Sequence, residues 1–381
     1  MEETKKKIIS FLKKETILAV AAVLAILSAF FVKPGAFYLD YIDWRVLGIL
    51  LSLMTITAGL QKNGLFDQIG SVLLKKTKNT AQLVGVLIFL CFFSSMLVTN
   101  DVALLTFVPF ALVTLQKCGQ HRLIVLVFVL QTIAANLGSM LTPIGNPQNL
   151  YLYNLSGMSA GEFMKLLLPY TVISGLLLLL VVLVLSARKQ KIVVEDDSFT
   201  TALSEGGKKK IVVYLLLFVL ALLVVARILP FYVVLAAVLF VTFFMDRDVL
   251  AKVDYCLLLT FICFFIFTGN MGNIPQIKEA LGELVQGREL GVGIFASQFI
   301  SNVPAALLLS GFTSDYPALI LGVNFGGLGT LIASMASLIS YKIYAHNYNR
   351  TKGIYLLWFT VANLLFLAVL IMIAFSCNYL Q

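Results

Sequence analysis

Apolar runs of helical length follow one another along nearly the whole chain, and the polar residues between them come in short clusters. Residues 17–32, 44–60, 163–186, 211–225, 232–244, 256–268 and 354–375 each read as an uninterrupted apolar helix. Residues 63–78 and 273–287 are apolar on one face only, so each is expected to lie in a membrane interface as an amphipathic helix. Two further pairs of runs meet at polar tips. The first pair, 81–115, turns at Thr99-Asn100-Asp101, and the second, 290–312, turns at Ser301-Asn302 just before Pro304. Each pair reads as a re-entrant hairpin.

Two other apolar runs, 123–153 and 318–344, are interrupted from within. The first packs Asn136, Gly138, Ser139, Thr142, Pro143, Gly145, Asn146, Pro147 and Asn149 into a few turns. Each proline removes a backbone donor and each glycine favours unwinding, so a continuous helix cannot pass through. In a bilayer core, freed backbone groups persist only where protein or a water-filled cavity satisfies them. A broken helix surrounded by amides and hydroxyls is therefore a candidate site for a small polar or ionic solute.

The same pattern returns in the second half. Asn136-Leu-Gly-Ser-Met-Leu-Thr-Pro-Ile-Gly-Asn aligns without gaps on Asn324-Phe-Gly-Gly-Leu-Gly-Thr-Leu-Ile-Ala-Ser, and Thr99-Asn100 matches Ser301-Asn302 upstream. Two unrelated motifs in the same order make a twofold internal repeat. The expected domains are a first repeat at 1–186, a polar linker at 187–210, and an extra span followed by the second repeat at 211–381.

Composition places this pattern in a membrane. Of 381 residues, 60% are hydrophobic and 12% charged, against roughly a quarter charged in soluble domains. The expected fold is an all-α polytopic membrane protein. If both hairpins are re-entrant, five crossings separate the starts of the two repeats, so the second copy is inverted. On that scheme 22 of the 28 lysines and arginines fall on the N-terminal side. This bias puts the N-terminus in the cytoplasm and the C-terminus outside a cytoplasmic membrane. It also accounts for the net charge of +9 without nucleic acid. The five cysteines show no metal spacing and no disulfide framework, and His121 and His346 fall at span ends.

Inverted repeats with broken helices and a midplane site belong to secondary transporters. Thr99, Asn100, Ser301 and Asn302 at the tips are candidate ligands for substrate and for a coupling cation such as Na⁺. In the breaks the candidates are Asn136, Gly138, Ser139, Thr142, Pro143, Gly145, Asn146, Asn324, Gly326, Gly327, Thr330 and Ser334. Helix N-termini attract anions, whereas unwound carbonyls and helix C-termini attract cations. Small residues and hydroxyls also serve helix packing in membranes, and Gly326-Gly327 alone would be read that way. Asp101 is the carboxylate expected at membrane depth, where its repeat counterpart is Val303. It reads as a coupling-ion or proton site, as a cap on a helix beginning at Val102, or as both.

The hairpin tips, together with Asn-x-Gly-x-x-x-Thr-Pro-x-Gly-Asn-Pro between them, resemble the citrate-transporter-like ion transporter superfamily. That group holds divalent anion/sodium symporters, arsenite-efflux permeases and a class of sodium/proton antiporters. The resemblance runs from about residue 40 to 375. It implies a homodimer with scaffold helices and a moving transport domain of two opposed hairpins and two broken helices. Thr99, Asn100, Ser301 and Asn302 would then be tip ligands, with 136–146 and 324–334 completing two clamps. The Asn-Val-Pro of the second tip is closer to the arsenite and sodium/proton branches, and the second break lacks the proline pair. The expected function is symport of a small anion (di- or tricarboxylate, arsenite or another oxyanion) with Na⁺ or H⁺, in the lipid bilayer. The alternative is a sodium/proton-type antiporter that uses Asp101. No enzymatic cluster of His, Cys or carboxylates is visible at membrane depth.

Overall fold

A computed structural model describes residues 15–185 and 205–376. The basic N-terminal segment, most of the 187–210 linker and Cys377 lie outside the described residues. The described residues are all helical in their regular structure. In chain order the helices are α1 (Thr16–Phe31), α2 (Trp44–Lys62), α3 (Leu65–Leu74), α4 (Thr80–Ser94), α5 (Asn100–Lys117), α6 (Ile124–Ser139), α7 (Pro147–Ser156), α8 (Ala160–Leu185) and α9 (Glu205–Val225). They continue with α10 (Phe231–Met245), α11 (Tyr255–Gly272), α12 (Pro275–Val285), α13 (Glu289–Ile300), α14 (Asn302–Leu309), α15 (Tyr316–Phe325), α16 (Met335–Asn347) and α17 (Lys352–Ser376). Five segments, Trp44–Lys62, His121–Ser139, Ala160–Val184, Tyr255–Gly272 and Asn349–Ser376, are long and apolar enough to cross a bilayer.

Each expected element has its helix, with bounds shifted by a few residues. The linker is shorter than expected, since residues 205–210 already belong to α9. The lysine run Lys208-Lys209-Lys210 therefore stands on a helix end, where Lys210 reaches the Asp246 carboxylate at 3.5 Å.

The two halves use the same local devices. Asp43 caps α2 by accepting from the Val46 amide, and Asp254 caps α11 by accepting from the Leu257 amide. Such a cap satisfies one of the donors every helix start leaves open. The halves also exchange partners: α2 packs on α10 while α11 packs on α1, and α5 packs on α16 while α14 packs on α7. The extra span α9 lies beside α2 and α10.

An ion-pair cluster closes that end of the bundle. Asp246 is nearly fully buried yet receives Lys62 Nζ at 2.5 Å and Asn63 Nδ2 at 3.1 Å. Burial pushes the Asp246 carboxyl up, but the Lys62 and Asn63 hydrogen bonds and the Lys210 charge outweigh it and hold it below the ordinary value.

Candidate functional site

Eight helix ends meet at the two tips and the two breaks. The C-terminal ends of α4, α6, α13 and α15 and the N-terminal ends of α5, α7, α14 and α16 are joined there by hydrogen bonds. Each hairpin tip docks on the break of its own half in the same way. The Asn100 amide donates to the Gly145 carbonyl at 3.0 Å, and the Asn302 amide donates to the Ala333 carbonyl at 2.9 Å. The threonines repeat the pattern. Thr142 Oγ1 donates to the Met96 carbonyl at 2.5 Å, and Thr330 Oγ1 to the Gln298 carbonyl at 2.9 Å. Thr142 and Thr330 thus spend their hydroxyls on the hairpin backbone, which makes them latches between hairpin and break.

Between halves, the side-chain bonds are reciprocal. Asn146 Nδ2 donates to Asn324 Oδ1 at 3.2 Å. Its aligned counterpart Ser334 donates to Oδ1 of Asn136, the counterpart of Asn324, at 3.0 Å. Asn136 Oδ1 also accepts from Asn100 Nδ2 at 3.1 Å, and Asn136 Nδ2 reaches the Gly327 carbonyl at 3.4 Å. Ser139 is tied in through Asn146 Nδ2 at 3.3 Å. All of these side chains are buried. A buried amide network is stable only when its members are mutually satisfied, which fixes their orientations.

Two residues outside the expected set hold the breaks open. Asn149 Nδ2 lies 3.4, 3.1 and 3.2 Å from the carbonyls of Ser139, Met140 and Thr142, while its Oδ1 accepts from Asn324 Nδ2 at 2.7 Å. Gln298 Nε2 donates to the carbonyls of Gly326 and Leu328, both at 3.0 Å, and its Oε1 accepts from the Thr330 amide at 2.9 Å. Each supplies the donors that unwound carbonyls lose when a helix stops. Asn149 stood in the polar cluster of the sequence. For Gln298 the signal was an amide in the last turn of α13, three residues before Ser301.

The tips differ from one another. Thr99 has ordinary extended geometry (φ −65°, ψ 152°), whereas Ser301 alone links α13 to α14 with φ +73°. A positive φ on a non-glycine residue costs about 1–3 kcal/mol and persists only where its surroundings enforce it. Pro304 lies in the first turn of α14, where its missing donor is no loss. Pro143 and Gly145 lie within the first break, and Gly326 and Gly327 within the second.

Asp101 is not the cap of its helix. The helix starts at Asn100 and its N-cap is Thr99, so the expectation of a helix starting at Val102 is corrected by two residues. Asp101 Oδ1 is buried and has no hydrogen-bond partner. A cleft beside the second tip is lined by Val303, Pro304 and Met335 together with Glu15 and Asp254 at the starts of α1 and α11. Its cavity is about 20 Å³, room for roughly one water.

Sequence comparison identifies what this geometry belongs to. The signature of the citrate transporter family matches residues 7–314. The chain belongs to the citrate transporter family. Over 307 residues it is 30% identical to the inner membrane protein YbiR of Escherichia coli K12, covering 79% of this chain and 80% of that one. It is 33% identical to the uncharacterized transporter MJ0456 of Methanocaldococcus jannaschii over 331 residues, 87% and 89% of the two chains. A shorter match, 31% over 129 residues, links it to the silicon efflux transporter LSI3 of Oryza sativa, covering 34% of this chain and 26% of that one. This citrate-transporter-family chain is therefore a multi-pass membrane transporter and not an enzyme.

Proposed function

We propose that this transporter moves a small anion across the cytoplasmic membrane by alternating access, driven by Na⁺ or H⁺. The observation that carries this reading is the reciprocal pair Asn146–Asn324 and Ser334–Asn136. Exchanged bonds of this kind are what a twofold axis between two copies produces. With the axis in the membrane plane the repeats are inverted, the hairpins are re-entrant from opposite faces, and the site lies at mid-depth. The half-helix N-termini of α5, α7, α14 and α16 suit an anion, and the unwound carbonyls of the breaks suit a cation. The candidate anions are a di- or tricarboxylate, arsenite or another oxyanion; the relative named for silicon efflux adds support for a small inorganic solute.

Orientation has its own test. In a background without native cysteines, Lys117→Cys should react with an impermeant maleimide from the cytoplasm and Gly287→Cys from outside. Labelling of both from one face would rule out the inversion. The superfamily resemblance further implies a homodimer.

A second reading, exchange of a cation for protons through Asp101, draws on the unpartnered Asp101 Oδ1 and on the acids Glu15 and Asp254 in the lining of the cleft. Purified chain in proteoliposomes separates the two readings. Uptake of citrate, succinate, arsenite and sulfate is measured under imposed Na⁺ and proton gradients, alongside Na⁺/H⁺ exchange with no anion present. The symport reading requires gradient-driven accumulation of one anion. In Asp101→Asn, accumulation should fall at least about tenfold, the effect of about 1.4 kcal/mol on ion binding. Substrate exchange at equilibrium should persist. Undiminished accumulation in Asp101→Asn would remove Asp101 from ion coupling, and exchange of Na⁺ for protons alone would favour the antiporter.

A further inference from the structure

A second cavity has no hairpin-tip or helix-break residue in its lining. It lies on the outside of α6, between α8 and α17, and has a volume of about 390 Å³, within the usual range for ligand sites. α8 and α17 both pack on α6 but scarcely touch one another, which leaves a slot between them. Val125, Val129, Val181, Trp358 and Leu365 line it, and Arg122 stands at one end. Arg122 comes from the short 3₁₀ turn His121–Leu123 just before α6. It is exposed, and among the described residues no carboxylate pairs with it. From Arg122 to Leu130 the slot follows α6 for roughly 12 Å at 1.5 Å per residue.

We propose that this slot is a binding site for an anionic phospholipid, with the phosphate on Arg122 and one acyl chain along Val125, Val129, Val181 and Leu365. Guanidinium and phosphate match in charge and in hydrogen-bond geometry. Basic pockets between membrane helices near the surface select acidic head groups for this reason. Trp358, 57% exposed and less than two turns into α17, stands at the level where an indole prefers to sit. A second copy of the chain suits the slot less well. A twofold contact centred on Arg122 would set it against Arg122 of the second copy. The lipid also has a route to the transport site. It braces α6, the helix whose far end presents Asn136, so its occupancy biases the position of the half-helix that the breaks depend on.

The test uses the two tryptophans of the chain, Trp44 and Trp358. Trp44→Phe leaves Trp358 as the reporter in full-length protein reconstituted in phosphatidylcholine. A small fraction of lipid with brominated chains is added, either phosphatidylglycerol or phosphatidylcholine, and quenching of the indole is followed. Brominated phosphatidylglycerol should quench at about fivefold lower mole fraction, the ratio given by roughly 1 kcal/mol per basic residue at an anionic surface. Raising the salt should shrink that preference in the unmodified slot. Arg122→Gln should bring the ratio to one, and Arg122→Lys should keep most of it. Val129→Phe, which fills the slot floor, should weaken quenching by both lipids. Equal quenching by both lipids before any change at Arg122 would overturn the head-group role. Absence of quenching by either, with Leu365→Cys cross-linking between copies, would assign the face to a second protomer instead.

Discussion

Alanine at Asn136 is expected to silence transport while leaving a folded chain in the membrane. Asn136 Oδ1 is the single acceptor for both Asn100 Nδ2 and Ser334 Oγ, so it joins the first hairpin tip to the break of the other half. Removing it strands two buried donors, each costing about 1–3 kcal/mol. It does not open a large void, because an asparagine side chain is small. The folded state therefore weakens but survives, whereas the geometry at the tips is lost, and an error of about 1 Å at a site can cost a hundredfold. Uptake per folded protein should fall at least about tenfold, with the melting midpoint lowered by several degrees. Asn324→Ala should behave alike, since Asn324 accepts from Asn146 and donates to Asn149. Wild-type uptake in either variant would show that the network serves packing alone.

Gly138→Ala should be the more damaging change to the fold itself, and its counterpart Gly326→Ala should be milder. A Cβ on Gly138 would run into the Phe92 carbonyl and come within 2.6 Å of Ser95 Oγ. The first obstacle is backbone of α4 and cannot rotate away, so α4 must move off α6. Overpacking of this kind costs about 1–3 kcal/mol and sometimes more. On Gly326 the nearest obstacles are Ser297 Oγ at 2.6 Å and Ser297 Cβ at 2.7 Å, and Ser297→Gly removes both. Ser297→Gly should therefore restore part of the stability of Gly326→Ala, whereas Ser95→Gly should not restore Gly138→Ala, because the Phe92 carbonyl remains in the way. Thermal unfolding followed by size-exclusion chromatography of the four proteins measures this directly. Equal rescue at both sites would mean that the Phe92 carbonyl is not the limiting contact.

The path of the chain was legible in the sequence because its causes are local. Apolar length sets where a helix can cross, while Pro143, Pro147, Gly138 and Gly145 dictate where it must stop. A polar pair between two apolar runs marks a tip. These rules place α1 to α17 within a few residues, along with both breaks and the turns at 99 and 301. Even the alignment of Asn136 on Asn324 needs only the order of letters. What each amide touches is a different kind of fact. Asn146 and Asn324 are 178 residues apart, and no periodicity reports that one donates to the other. Nor could the sequence separate the hydroxyls that latch the backbone, Thr142 and Thr330, from those turned toward the opposite half, such as Ser334. For Asp101 the sequence offered an ion or proton site, and also a cap, because Asp favours helix starts. Only the packed structure put the cap at Thr99 and left Asp101 Oδ1 without a partner. The physical reason is common to all these cases. A chain must satisfy its backbone donors and acceptors wherever a helix ends, and composition shows where that need arises. Which side chain meets it is settled by whichever polar group the assembled helices bring within about 3 Å.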